Sequence, residues 1–224
     1  GLGLGARQPD ELRVSLFAYE NAALPALLDA WAAGAQPLLC LVPEGRIVPQ
    51  LAAWLGVAEL APGMNPVRGA LRVVVLPFTD QDAYDHLLWA CDLNFVRGED
   101  SCVRAQWAAH PMVWQAYPQA GEAHWRKLEA LLALYLQTAP LTVADAVRGI
   151  WQGWNGMPGA PVMATAWAAW LAVRAEIERH AAAWPVRLAR AGRLSQKLVD
   201  FAESGLKLRV FSNSQSSSQQ DTHP

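Results

Sequence analysis

The stretch Asn94-Phe95-Val96-Arg97-Gly98-Glu99-Asp100-Ser101-Cys102-Val103-Arg104-Ala105-Gln106-Trp107 decides how this chain is read. It reads as the end of a buried strand, a glycine turn carrying an arginine and two carboxylates, and a helix from about Ser101 to Ala109. Gly98 lets the backbone turn where a side chain would clash. Asp100 or Ser101 is placed to cap the helix by accepting its first amide hydrogens. Such a helix start is an anion site, because several N–H groups and the positive dipole end point the same way. Arg97 adds a cation whose planar fork suits phosphate. The same residues also make an ordinary capped strand–helix junction with a surface Arg–Glu pair, and local chemistry alone leaves both readings standing.

Outward from this stretch, apolar runs alternate with helical patterns. Leu12 to Tyr19, Leu38 to Val42, Leu71 to Leu76, Leu93 to Val96 and Met112 to Tyr117 are strand-like. Helices are expected from about Ala22 to Ala33, from Ile47 to Leu55 with Gly56 as stop, and from Asp80 to Cys91. In the last, Tyr84, Leu87, Leu88 and Cys91 share one stripe. Short apolar strands alternating with helices of this length imply βαβ units and a mostly parallel sheet covered on both faces. The expectation is an α/β, Rossmann-like domain. Ligands of such sheets bind outside the carboxyl ends of the strands, near the topological switch point. The polar residues following the strands are therefore rim candidates: Tyr19-Glu20-Asn21, Glu44-Gly45, Thr79-Asp80-Gln81, Arg97 to Ser101, and Tyr117-Pro118-Gln119.

Beyond Gly121 the pattern is helical. Trp125, Leu128, Leu132, Tyr135 and Leu136 form a stripe, and Leu141 to Trp151, Val162 to Trp184 and Leu194 to Glu203 follow. The tryptophans at 151, 154, 167, 170 and 184 are expected in the core. The organisation is thus a linker remnant at 1–11, one domain at 12–210 with a helical C-terminal portion, and a Ser/Gln-rich disordered tail at 211–224. Gly1-Leu2-Gly3-Leu4-Gly5 is not a dinucleotide loop, because no strand precedes it to aim it. The start at Gly1 rather than Met fits a fragment or a processed product.

Of the 224 residues 53% are hydrophobic and 17% charged, enough apolar surface for a substantial core. A net charge of −2 argues against a general nucleic-acid or anionic-membrane binder, while leaving room for a local basic pocket. Three cysteines without CxxC spacing, Cys40, Cys91 and Cys102, fit buried free thiols in a reducing compartment. The most apolar stretch, Pro161 to Val173, is too short to span a bilayer. With no signal peptide visible, a cytoplasmic protein is expected.

Metal-site spacing is missing from the sequence, as are a GxSxG elbow and a P-loop. What remains is aromatics beside the rim: Phe17 and Tyr19 after the first strand, Phe78 after the third, and Tyr84 one turn into the next helix. Aromatic faces beside a phosphate site suit a nucleobase. Phe17 and Tyr84 also fit plain core positions. A stacking slot with a phosphate cradle points to a nucleotide or nucleotide-sugar, with Glu99 available to ribose or sugar.

Leu76-Pro77-Phe78, Gln81, Tyr84-Asp85 and the run from Leu87 to Ser101, with Arg104-Ala105-Gln106-Trp107, resemble the protein-arginine rhamnosyltransferases (EarP) that mature bacterial translation elongation factor P. Ser15 to Asn21 and Tyr117-Pro118-Gln119 fit the same family. The resemblance implies the C-terminal, donor-binding half of an inverting glycosyltransferase of GT-B architecture. It implies dTDP-β-L-rhamnose as donor, an arginine of elongation factor P as acceptor, no cofactor or metal, and no nucleic-acid or membrane partner. Carried over by motif position, Phe17 and Phe78 would flank the thymine, with Tyr84 as a further aromatic. Tyr19, Gln81, Arg97, Asp100 and Ser101 would hold the diphosphate and its neighbours, and Glu99 would be the activity-critical carboxylate. The family's general base, an aspartate of the N-terminal half, has no counterpart in this chain, which would leave it inactive alone. The alternative is a non-catalytic nucleotide-binding or interaction module of the same fold.

Overall fold

The runs LRVSL, LLCLVP, LRVVVL, LNFVR and MVWQ are apolar almost throughout, as strands covered on both faces must be. In the computed structural model, which describes residues 6–78, 80–119, 122–190 and 192, they form β1 (Leu12–Leu16), β2 (Leu38–Pro43), β4 (Leu71–Leu76), β5 (Leu93–Arg97) and β6 (Met112–Gln115). A sixth, β3 (Val67–Arg68), is an exposed two-residue edge strand, too short for any periodicity to announce. The sheet order is β3-β4-β2-β1-β5-β6, parallel except for β3 on β4. Gly69 turns this edge hairpin at φ 59°, and a Cβ there would lie 2.1 Å from the Ala32 carbonyl oxygen. The residue has to be glycine.

The strands are joined by α1 (Leu24–Ala32), α2 (Val48–Leu55), α3 (Gln81–Ala90) and α4 (Gly98–Trp107). Chain progression runs from β1 outward through β2 to β4, then returns to β5 on the other side of β1. The switch point therefore lies between β1 and β5, paired Val14 to Leu93, Ser15 to Asn94 and Leu16 to Phe95. At this seam the Ser15 hydroxyl donates to Asn94 Oδ1 at 2.6 Å, and Asn94 Nδ2 donates to the Leu88 carbonyl of α3 at 3.1 Å. The polar pair is buried and satisfied, so it orients β5 without a desolvation penalty left over.

Alternation along β5 sends Phe95 to the opposite face from Asn94. There its ring meets Trp31 of α1 at 5.8 Å and Trp154 at 4.9 Å between centroids. Trp154 ends α6 (Leu141–Trp154), which follows α5 (Ala123–Tyr135). Trp167 and Trp170 of α7 (Met163–Ala172) stack at 5.2 Å, and Trp167 meets Trp31 at 5.7 Å. Trp151, Trp154, Trp167, Trp170 and Trp184 are all buried, as core residues. Edge-to-face pairs of this kind add about 0.5–1.5 kcal/mol each beyond their area. Asn155 after α6 donates to the Trp114 carbonyl and accepts from the Ala116 N–H, so the helical portion also fixes the end of β6.

The single helix expected over Val162 to Trp184 is two: α7 stops at Ala172, Val173 leaves helical geometry at φ −123°, and α8 (Arg174–Arg190) follows. Both halves are rich in helix formers, so composition carries no trace of the break. The chain divides into two compact units, Gly1–Pro185 and Val186–Pro224. Residues 1–5 of the linker expected at 1–11, the helix Leu194 to Glu203 and the tail at 211–224 lie outside the described residues. Residues 7–11 are described and tied down. Arg7 donates to the Glu11 carbonyl and pairs with Asp92, while the buried Glu11 carboxylate pairs with Arg13 at 2.8 Å and Arg72 at 3.0 Å. Among the described residues no helix is long and apolar enough to cross a membrane.

A candidate nucleotide site at the switch point

The carboxyl ends of β1, β2, β4 and β5 open onto a cavity of about 570 Å³. Its wall contains Phe17 and Tyr19 after β1, Phe78 and Gln81 after β4, Tyr84 on α3, and Arg97, Asp100 and Ser101 at the β5–α4 junction. The structure thus brings eight sequence-selected residues around one space. Glu99 is not in that wall. It lies on the first turn of α4, 73% exposed, with Lys127 Nζ 4.0 Å from its Oε1.

Arg97 is the centre of the geometry. Its guanidinium lies over the ring of Phe17 at 4.3 Å and over that of Tyr19 at 4.7 Å. Cation–π contacts of this kind are worth about 0.5–2 kcal/mol, rising with desolvation. Nη1 is buried and has no hydrogen-bond partner. Burial pulls its pKa below the ordinary arginine value, and Arg46 acts in the same direction; Tyr19 opposes it. The result is a fixed cation with an unmet donor.

The surrounding residues hold it in place. Gln115 of β6 accepts from the Tyr19 N–H at 2.8 Å, fixing that ring's backbone. Trp114 donates to the Gly98 carbonyl at 2.7 Å. Gly98 has φ 64°, and a Cβ there would sit 3.2 Å from the Tyr19 hydroxyl, so conformation and space both call for glycine. Tyr84, 8% exposed, sets its ring edge-on to Phe17 at 5.5 Å. Burial pushes its phenol above the ordinary value, while neighbouring Ser101 and Arg97 act against the shift. Tyr84 therefore supports Phe17 from below, whereas Phe78 is 85% exposed at the rim.

One expectation at this junction is corrected. Neither Asp100 nor Ser101 caps α4. The helix begins at Gly98 with Arg97 as its first flanking residue and no side-chain cap. Ser101 is already inside the helix, where its hydroxyl donates back to the Arg97 carbonyl. The first amides of α4 are thus not consumed by a capping side chain. The neighbouring helix α3 does have the expected kind of cap, with Asp80 accepting from the Ala83 N–H at 2.8 Å. Asn21, a rim candidate, is structural: its Oδ1 accepts from the Ala23 N–H in the turn leading into α1, and its Nδ2 donates to the Trp154 carbonyl.

Two arginines of the wall, Arg46 and Arg104, were not selected from sequence. Arg46 carried a positional signal, since it follows Glu44-Gly45 at the end of β2. Arg104 carried a helical one, lying one turn after Asp100 on the same face. Among the described residues no group of three His, Cys, Asp or Glu could hold a metal.

Residues 1–203 match the family Elongation-Factor P (EF-P) rhamnosyltransferase EarP. The chain is 48% identical over 195 residues to a protein-arginine rhamnosyltransferase of Pseudomonas aeruginosa, covering 87% of this chain and 51% of that protein. It is 47% identical over 206 residues to that of Pseudomonas putida, covering 92% and 54%. A solved structure described as the structural basis for EarP-mediated arginine glycosylation of translation elongation factor EF-P superposes with a TM-score of 0.80 at 44% identity, covering 91% of this chain and 63% of that one. The chain spans about half the length of the curated relatives it matches. With most of its length matched and its sheet superposing on an EarP structure, the chain belongs to the EF-P rhamnosyltransferase EarP family.

Proposed function

We propose that this chain is the C-terminal, donor-binding half of an inverting GT-B glycosyltransferase. The whole enzyme would transfer L-rhamnose from dTDP-β-L-rhamnose to an arginine side chain of translation elongation factor P, in the cytoplasm. The observation that carries the reading is the buried, unpartnered Nη1 of Arg97 in the wall of the switch-point cavity. A desolvated cation with an unmet donor is costly unless a ligand completes it, and an anionic one does.

In this reading Phe17 and Phe78 flank the thymine, with Phe17 braced by Tyr84. Tyr19, Gln81 and Ser101, with the backbone N–H of Asp100, hold the diphosphate and its neighbours. Arg97 and the uncapped amides of α4 meet the charge that grows on departing dTDP as the bond from the anomeric carbon to phosphate oxygen breaks. The acceptor guanidinium attacks the opposite face of that carbon and forms the new C–N bond. Its proton passes to a carboxylate base, assigned to the half of the relatives that this chain does not span. No metal is assigned to any step. Glu99, outside the cavity wall, is assigned to the sugar or the acceptor rather than to the nucleotide.

The test is calorimetry of the chain with dTDP in the presence of a chelator, which should show one-to-one binding. Loss of binding on chelation would overturn the metal-free assignment. In a chain completed with its N-terminal half, Glu99→Gln should cut rhamnosyl transfer severely and dTDP affinity little. Near-normal turnover would make Glu99 structural.

A further inference from the structure

The cavity wall holds an arginine in a state opposite to that of Arg97. Arg104 Nη1 reaches both carboxylate oxygens of Asp85 on α3, at 3.0 and 2.9 Å, and its Nε reaches Asp100 Oδ2 at 3.1 Å. Arg104 and Asp100 line the cavity; Asp85 does not. Hydrogen bonds to Asp85 first, then Asp100, raise the guanidinium's pKa, so its charge is held firmly.

Asp100 poses an electrostatic problem. It sits in the first turn of α4, the end that attracts anions, and its own negative charge repels a phosphate arriving there. Arg104 answers it. Resting on the nucleotide-diphosphate reading of this cavity, we propose that Arg104 is a positioning residue: anchored by Asp85, it offsets the charge of Asp100 and fixes that carboxylate, so that a diphosphate shares the wall with an acid. Arg104 acts through Asp100 rather than on the phosphate. Its Nε and Nη1 are already committed to carboxylates, whereas Arg97 Nη1 is unpaired. The role needs an arginine, since two donors of one rigid fork must reach two acids at once.

The test is a double-mutant cycle on the 224-residue chain, with dTDP and thymidine titrated by calorimetry. Arg104→Ala should weaken dTDP binding about threefold to fivefold, as expected for a largely exposed charge left uncompensated beside an anion, and leave thymidine nearly unchanged. Arg104→Lys should fall between wild type and alanine. In an Asp100→Asn background, Arg104→Ala should cost almost nothing, because the wall carboxylate it offsets is gone. An equal loss in both backgrounds would show that Arg104 binds phosphate directly and overturn the proposal. Unchanged dTDP affinity in Arg104→Ala would overturn it too, as would parallel loss of thymidine, the mark of a damaged fold. A wild-type chain that binds no dTDP at all would instead bring down the cavity reading itself, and the proposal with it.

Discussion

The two ends of the sheet treat charge in opposite ways. At the amino ends of the strands, Glu11 is buried between Arg13 and Arg72, and Asp92 accepts from the Arg13 N–H while pairing with Arg7. Asp92 also lies 3.9 Å from Arg174, which pairs in turn with Glu178. Each of these carboxylates has a cation. At the carboxyl ends, Arg97 lies over two aromatic rings with a buried donor unmet. The first arrangement locks an entering segment and a helix onto the sheet. The second holds a cation ready at a cost in stability. A closed charge network marks structure, and an open one marks a place where something else completes it.

The largest effect expected from this contrast is at the closed end. Glu11→Ala removes the buried carboxylate held between Arg13 and Arg72, and should cost about 3 kcal/mol of stability. Its dTDP affinity should stay within about twofold of wild type, since the network lies at the far end of the strands from the cavity. Urea unfolding beside a dTDP titration checks both halves, and a large affinity loss in the folded variant would mean the two ends are coupled.

Next comes a pair of rings at the open end. Phe78→Ala and Phe17→Ala should each weaken dTDP binding by about 1–3 kcal/mol, the range of base–aromatic stacking. The rings are not equivalent, however. Phe78 stands free at the rim, so its loss should weaken thymidine and dTDP equally. Phe17 also carries the Arg97 guanidinium, so its loss should weaken dTDP more than thymidine. Equal ratios for the two variants would remove Phe17 from the phosphate site.

The remaining effect is confined to alkaline pH and concerns the buried thiols. Burial pushes the Cys91 and Cys102 thiols from the usual 9.0 up to about 12, and Cys40 higher still. The native state therefore keeps protons that the unfolded chain releases. Stability from these groups is fully present below pH 9.0 and falls as pH rises toward 12. Stability measured across this alkaline range should decline less in a Cys91→Ala variant than in wild type, and an identical slope would deny the thiols any part in it.

Much of this arrangement was legible in the residues. The apolar runs marked the five parallel strands, and alternation with helices marked the rim on which Phe17, Phe78 and Arg97 stand. Three things were not legible, each for a physical reason. Val67 and Arg68 pair as β3 only because Gly69 turns the chain against Ala32, a tertiary fact. Ser101 carries the chemistry of a cap, yet its hydroxyl turns back to the Arg97 carbonyl because the helix starts three residues earlier than composition suggests. Arg104 belongs to the site through Asp85, nineteen residues upstream on another helix, a pairing no local pattern encodes.

The most direct measurement is on Arg97→Met, which keeps an unbranched apolar stem and removes the desolvated charge. Its unfolding midpoint and its dTDP affinity should be measured together. The account predicts an unchanged or raised midpoint with dTDP binding weakened about tenfold or more, the loss of a charge-assisted bond, and thymidine binding retained. A lowered midpoint with dTDP affinity intact would show that Arg97 serves the fold, and that the open end of the sheet is not a nucleotide site.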